Sequence, residues 1–211
     1  MIAAAAAAFV IVAGGFGYYD VNYVAAAYVT IDVNPSLEFA LNARDQVISV
    51  TALNDEATEI ADTLTQEKIR GMSIDEAMSK AEELLSEQDY LGEDEDCILV
   101  SVASNSEKRK ERISGAVEEH SRKESSPDRV EVVTTSMKER KHAKKMNIST
   151  GRYEMAKKIS GDDSDEDSMK ELGNRPVKEL MEMRDAPAEK PDEKPMEKPG
   201  SKPAEKPAEK P

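Results

Sequence analysis

The chain has 211 residues, with one Cys, two His, no Trp and a net charge of −14 from 29 Lys+Arg and 43 Asp+Glu. One Cys excludes an internal disulfide framework, and one Cys with two His excludes a Cys/His zinc site. The acidic balance argues against general binding to a nucleic-acid backbone, which needs clustered Lys and Arg, and the length suits one ordinary domain with extra chain.

Charge and proline are segregated. Residues 1–19 carry no charge, and residues 187–211 carry six Lys and six acids, so the −14 belongs to the segment between Asp20 and Ala186. Seven of the ten prolines fall in the last 25 residues.

Residues 1–19 read MIAAAAAAFVIVAGGFGYY. As a helix at ~1.5 Å per residue they would span ~28 Å, close to the ~30 Å hydrocarbon core of a bilayer. Tyr18 and Tyr19 stand where an interfacial aromatic pair would. The expectation is a single transmembrane helix over 1–19, with everything polar on one side of the membrane. A signal peptide and a buried core helix are the competing readings; no Lys/Arg-bearing n-region precedes the apolar run, although Ala25-Ala26-Ala27 resembles a late cleavage zone.

From Ala27 the hydrophobic period becomes two. Val29, Ile31 and Val33 alternate with Tyr28, Thr30 and Asp32, then Leu37, Phe39 and Leu41 alternate with Glu38 and Ala40. Asn34-Pro35-Ser36 interrupts this pattern, Asn42 to Asp45 is turn-forming, and Gln46 to Thr51 reads as a further strand. The expectation is a hairpin preceded by a broken strand. A short helical stripe follows (Ala57, Ile60, Ala61, Leu64). A cleaner helix starts at Ser73, where Ser73 and Glu76 form an S-x-x-E capping box ahead of Ile74, Ala77, Met78, Ala81, Leu84 and Leu85.

Cys97 to Ala103 suits a central strand, with Cys97 as a buried apolar filler. Glu107 to Arg122 is a charged helix with a thin stripe of Ile113, Ala116, Val117 and His120, broken at Pro127-Asp128. Val130 to Thr135 is another strand. Three shorter helices follow: one capped by Ser136 and Glu139, one after Ser149, and one opening at Pro176. The fold class is therefore α+β: a small mixed β-sheet with helices on one face over residues 25–184, its helical part from 136 the more weakly patterned, between the transmembrane helix and a disordered Pro-rich tail. That tail, 187–211, repeats Glu-Lys-Pro; proline every four residues forbids α-helix and favours an extended linker of ~75 Å.

Several patterns invite site readings. Asp163, Asp165 and Asp167 match the first positions of a calcium loop, but Ser168 replaces the glycine and Asn174 the final Glu, so a solvated acidic loop is expected and no metal or cofactor. Glu93 to Asp96 reads as a charge run that keeps a strand edge soluble. Lys138 to Lys145 followed by Asn147 to Arg152 has a helix-turn-helix flavour that the global charge opposes. His120 and His142 lie on helices without a paired nucleophile.

Asn34-Pro35 has the most specific chemistry. With Asn34 read as buried, ordinary deamidation needs a following backbone N–H that Pro35 lacks. What remains is attack of the Asn34 side-chain nitrogen on its own main-chain carbonyl, which closes a succinimide and expels Pro35 as a new N-terminus. A strand that holds the amide in attack geometry, backbone strain, and a donor from Ser36, Asp32 or Thr30 would assist. The competing reading is a turn or bulge between two strands.

The stretch from Tyr28 to Glu38, followed by Asn42, Val47 to Val50 and Ala52-Leu53-Asn54, resembles the extracytoplasmic middle domain of RsgI-type anti-sigma factors of Firmicutes. The likeness continues more loosely through the Ser73 helix, the Cys97 strand, Ile148 to Arg152 and Val177 to Leu180. The resemblance implies a single-pass membrane protein whose middle domain cleaves itself at Asn34–Pro35, with Asp32, Asn34, Pro35 and Ser36 as site residues. It implies that the two halves stay paired in the sheet until a signal separates them and an intramembrane protease acts. Residues 1–211 contain no stretch that resembles the family's sigma-binding domain or a sensory module, so a sigma factor is expected as partner only through a cytoplasmic domain upstream. The leading expectation is a signal-relay domain of an anti-sigma factor system at the cell membrane, with no enzyme activity beyond a single-turnover self-cleavage. The alternative is an uncleaved surface stalk or carbohydrate- or wall-binding module. No nucleophile elbow, phosphate loop or paired-carboxylate cleft motif suggests a multiple-turnover enzyme.

Overall fold

A computed structural model of the chain describes residues 19–91, 97–124, 130–161 and 164–186. The expected membrane span up to residue 18, the acidic run 93–96, the break at Pro127-Asp128, Asp162-Asp163 and the Glu-Lys-Pro tail lie outside the described residues. Among the described residues, no helix is long and apolar enough to cross a membrane.

The period-two stretches form strands β1 (Ala27–Asp32), β2 (Ser36–Leu41) and β3 (Val47–Ala52), joined as two successive antiparallel hairpins. The turn of the first is Val33-Asn34-Pro35, closed by a hydrogen bond from the Val33 N–H to the Pro35 carbonyl at 3.0 Å, with Asp32 opposite Ser36. The expected broken strand is thus a hairpin, because Asn34 reverses the chain and the alternation resumes on the returning strand. The second turn is shaped by Asn42, whose Oδ1 accepts from the Arg44 N–H at 2.8 Å and the Gln46 N–H at 3.1 Å, the side chain standing in for a backbone turn.

Strand β4 (Ile98–Ala103) pairs antiparallel with β1, and β5 (Val130–Thr135) pairs parallel with β4. The order is β3-β2-β1-β4-β5, so the centre of the sheet is β1 rather than the Cys97 strand. Cys97 precedes β4 and is half-buried at the margin of an apolar cluster, not a core filler.

One face of the sheet carries Val29, Ile31, Leu37, Phe39, Leu41, Val100 and Val102, all almost fully buried. Over it lie α1 (Thr58–Gln66), α2 (Ile74–Glu87) and α3 (Glu107–Glu124), which contribute Ile60, Leu64, Met78, Leu85, Ile113 and Val117 to the same core. The capping box that opens α2 is present in both directions: Glu76 N–H donates to Ser73 Oγ, and Ser73 N–H donates to Glu76 Oε2.

The other face is also covered, which corrects the expectation of helices on one side only. Helices α4 (Met137–Met146), α5 (Thr150–Ser160), α6 (Glu166–Gly173) and α7 (Val177–Asp185) form a second layer. Leu99 and Val133 on this face meet Met155, Val177 and Leu180. The expectation failed because the residues on this face of β1 and β2 (Thr30, Asp32, Ser36, Glu38) are polar and imitate a solvent-facing row, yet each is at most 8% exposed. Asp165 caps α6 by accepting from the N–H groups of Asp167 and Ser168. From Asp165 the acidic segment therefore opens a helix over Glu166–Gly173, where a solvated loop was expected.

His120 ties α3 to α2. Its ring is 1% exposed, with Nδ1 3.1 Å from Asp75 Oδ1 and Nε2 3.1 Å from Glu82 Oε2. Both partners are acceptors, so the ring serves both as an imidazolium. The hydrogen bond to Glu82 is the main cause that raises its pKa above the ordinary value, reinforced by Asp75 against the opposing effect of burial. A raised folded-state pKa means that this stabilisation is fully present below about pH 6.5, the unfolded value, and is lost as pH rises through the folded value. Urea midpoints measured across neutral pH should fall on the alkaline side, and His120→Gln should remove that step; an unchanged step in the variant would assign it to another group.

Candidate functional site

The first hairpin turn places the two chemically distinctive residues in different surroundings. Asn34 is exposed at the tip, whereas Pro35 is buried. The expectation of a buried Asn is corrected: the turn lifts Asn34 out of the sheet so that Pro35 can pack. The cost of this turn appears in the backbone, because Asn34 has φ of +135°, a region that residues with a Cβ rarely adopt and that stores about 1–3 kcal/mol of strain.

A second asparagine fixes the first. Asn54, just past β3, accepts the Ser36 N–H on its Oδ1 at 3.0 Å, and the Leu53 N–H donates to the Ser36 carbonyl at 2.9 Å. With its oxygen committed to a backbone donor, Asn54 turns its amide nitrogen to the tip, where Nδ2 donates to Asn34 Oδ1 at a long 3.5 Å. That contact orients the Asn34 side chain by its oxygen and leaves Nδ2 as the group directed elsewhere.

Beneath the tip lies a buried polar layer. Asp32 is 0% exposed, and Ser36 opposite it is 4% exposed. Arg152 reaches in from α5, with Nε 3.9 Å from Asp32 Oδ1 and a side chain only 11% exposed. Burial pushes the Asp32 carboxyl above its ordinary value and outweighs the lowering effects of the Arg152 guanidinium and the Ser36 and Ser149 hydroxyls; Glu38 adds a further push upward. Two residues along, Glu38 and Arg140 form a closed bidentate pair, Nε to Oε2 at 2.7 Å and Nη2 to Oε1 at 2.5 Å. The Arg140 guanidinium stacks 3.3 Å from the centre of the Tyr28 ring on β1, which adds a cation–π contact. The Thr30 hydroxyl is hydrogen-bonded to that of Ser101 on β4, so Thr30 is committed across the sheet and does not serve the turn.

The four residues expected at the site are therefore brought together around one turn, in two tiers: Asn34 outside, and Pro35, Asp32 and Ser36 inside. Asn54, Arg140, Ser149 and Arg152 were not identified from the sequence as site residues. Only the cap carried a signal, since Ser149 three residues before Arg152 is a helix-opening spacing and its hydroxyl does accept the Arg152 N–H at 3.2 Å.

A five-stranded mixed sheet with an Asn-Pro hairpin turn over buried charges is the frame in which the likenesses to known proteins fall. The model of the anti-sigma factor RsgI-like central domain matches residues 26–158. The chain belongs to this family. It is 33% identical over 138 residues to anti-sigma-I factor RsgI9 of Acetivibrio thermocellus, covering 60% of this chain and 19% of that protein. To anti-sigma-I factor RsgI7 of the same organism it is 27% identical over 186 residues, covering 86% and 33%. To anti-sigma-I factor RsgI of Bacillus subtilis it is 31% identical over 136 residues, covering 63% and 35%. The chain thus spans between about a fifth and about a third of the length of these relatives.

The strain at the tip is directly measurable. Glycine adopts positive φ without penalty but loses more freedom on folding, so Asn34→Gly should raise the unfolding free energy by about 1 kcal/mol in urea titrations. A loss of stability would mean that the Asn54 contact outweighs the strain.

Proposed function

We propose that this chain is the signal-relay part of a membrane-anchored anti-sigma factor system and that its central domain cleaves itself once, between Asn34 and Pro35. The observation that carries this reading is the turn itself: an exposed Asn34 at φ +135° preceding a buried Pro35, with the side-chain oxygen held by Asn54. Membership in the RsgI-like family supports the setting.

The chemistry needs no added reagent but water. Asn34 Nδ2 attacks the Asn34 main-chain carbonyl carbon, so that an N–C bond forms and the C–N bond to Pro35 breaks. One Nδ2 proton passes to the Pro35 nitrogen, which leaves as a secondary amine. Asn34 is left as a C-terminal succinimide that water then opens. Preorganisation of the amide supplies the rate, and loss of the strained turn conformation favours the cut state. Asp32, two residues before the bond and with its carboxyl pKa raised by burial, is the candidate proton donor, and Ser36 stands opposite it in the register.

After such a cut, β1 belongs to the N-terminal piece and every other strand to the C-terminal piece, with β1 hydrogen-bonded to β2 on one side and β4 on the other. The pieces stay together without a covalent bond. The uncharged apolar segment 1–19 supports a single-pass anchor, with the domain outside the membrane and the Glu-Lys-Pro repeats as an extended linker. Separation of β1 then exposes the anchored stub to an intramembrane protease, and the relatives' designation as anti-sigma-I factors supports a sigma factor as the eventual partner.

Intact mass and denaturing gels decide the matter. Full-length protein should resolve into a piece ending at residue 34 and a piece starting at Pro35 that co-purify under native conditions. Asn34→Ala should run as one band, and Asn54→Ala should cut more slowly. A single uncut band from the unmodified chain after prolonged incubation would overturn the cleavage reading.

A further inference from the structure

Asp32 lies on the N-terminal side of the Asn34–Pro35 bond and Arg152 on the C-terminal side. Their pairing differs from the closed Glu38–Arg140 pair beside it. Both Asp32 oxygens and the Arg152 Nε and Nη2 are buried without a hydrogen-bond partner, and the 3.9 Å approach is ionic but too long for a hydrogen bond. The backbone of α5 packs tightly against the pair at Gly151. A Cβ at Gly151 would stand 2.7 Å from Asp32 Oδ2 and 3.1 Å from the Leu99 side chain, so α5 approaches β1 as closely as a glycine allows.

We propose that Arg152 is the positioning residue that seats strand β1 through Asp32, and that the two side chains form a latch between the N-terminal and C-terminal pieces. This inference rests on the cleavage reading for its role in signalling, but the contact itself exists in the uncut chain. A buried pair of this kind returns little of its desolvation cost, while loss of one partner strands the other charge. The latch is therefore sensitive to the charge on Asp32. The charged groups that face Asp32 are Arg152 from α5 and Glu38 from β2, the latter neutralised by Arg140 from α4. Ser36 and Ser149 contribute hydroxyls, and Leu99, the register partner on β4, is apolar.

The sign of the pH effect follows from burial. Burial holds the folded-state pKa of Asp32 above that of the released strand. Seating of β1 is thus strongest when Asp32 is protonated, at pH below the ordinary carboxylate value, and weakens as pH rises through the raised value. On the alkaline side Arg152 is what keeps the ionised carboxylate inside.

The test uses the full chain in the uncut Asn34→Ala form and reads hydrogen exchange of the β1 amides at about pH 5 and about pH 8. After correction for intrinsic exchange, Arg152→Gln should lower β1 protection about tenfold or more at the higher pH and much less at the lower one. Arg152→Lys should restore most of it. Asp32→Asn should remove the part of the pH dependence that Arg152→Gln changes, leaving the His120 step in place, and Arg152→Gln should add little in that background. An Arg152→Gln loss that is equal at both pH values, or that persists undiminished with Asp32→Asn, would overturn the latch. In the chain with Asn34 intact, the cut fraction on denaturing gels reports the cleavage reading separately, and the rate at which the N-terminal piece leaves an immobilised C-terminal piece reports the latch. Absence of a cut would sink the first without touching the exchange result.

Discussion

Strand β1 is paired along both edges, and much of the rest of the structure depends on that. Six register pairs run to β2 and five to β4, so β1 cannot move as an edge strand can; a pull along its length loads both ladders together. Its alternate side chains join both layers. Val29 and Ile31 enter the apolar core, while Tyr28, Thr30 and Asp32 enter the polar layer under α4 and α5. A single chain break at Asn34 therefore leaves β1 held by two ladders and two helical layers.

The polar layer explains how the sheet has two different interiors. On the α1–α3 side, burial of Phe39, Leu37 and Ile31 is an ordinary hydrophobic gain of roughly 1.5–3 kcal/mol per side chain. On the α4–α7 side, the tip-proximal region has charges in place of that gain. Glu38 and Arg140 are satisfied as a bidentate pair, whereas Asp32 and Arg152 are not. The second arrangement adds little to stability, and a region that contributes little to stability is where a domain can yield locally.

The sequence showed the elements well and their layering poorly. Period two located β1 and β2, a β-branched stretch located β3, a short apolar run located β4, the stretch from Val130 to Thr135 read as β5, and S-x-x-E spacing located the starts of α2 and α4 at Ser73 and Ser136. The covering of the second face was hidden because Thr30, Asp32, Ser36 and Glu38 look like a wetted row, and their partners lie far along the chain; Arg140 is 102 residues from Glu38. Asn34-Pro35 stood out as a candidate because its chemistry is local. Its φ of +135° and its support by Asn54 were not, since both arise only when β3 returns beside the turn.

The N-terminal approach to the domain has a mechanical consequence. Residues 19–23 are helical, and they are fastened not to β1 but to the turn between β2 and β3. The Asn42 Nδ2 donates to the Asn22 carbonyl at 3.3 Å, and the Ala43 N–H donates to the Val21 carbonyl at 3.3 Å. Arg70 from the α1–α2 connection stacks 4.8 Å from the Tyr23 ring centre. These fastenings lie between residue 19 and the start of β1 at Ala27. They hold the segment to the β2–β3 turn the way a clamp holds a cable where it enters a housing, so that a displacement of residues 19–23 loads that turn as well as β1.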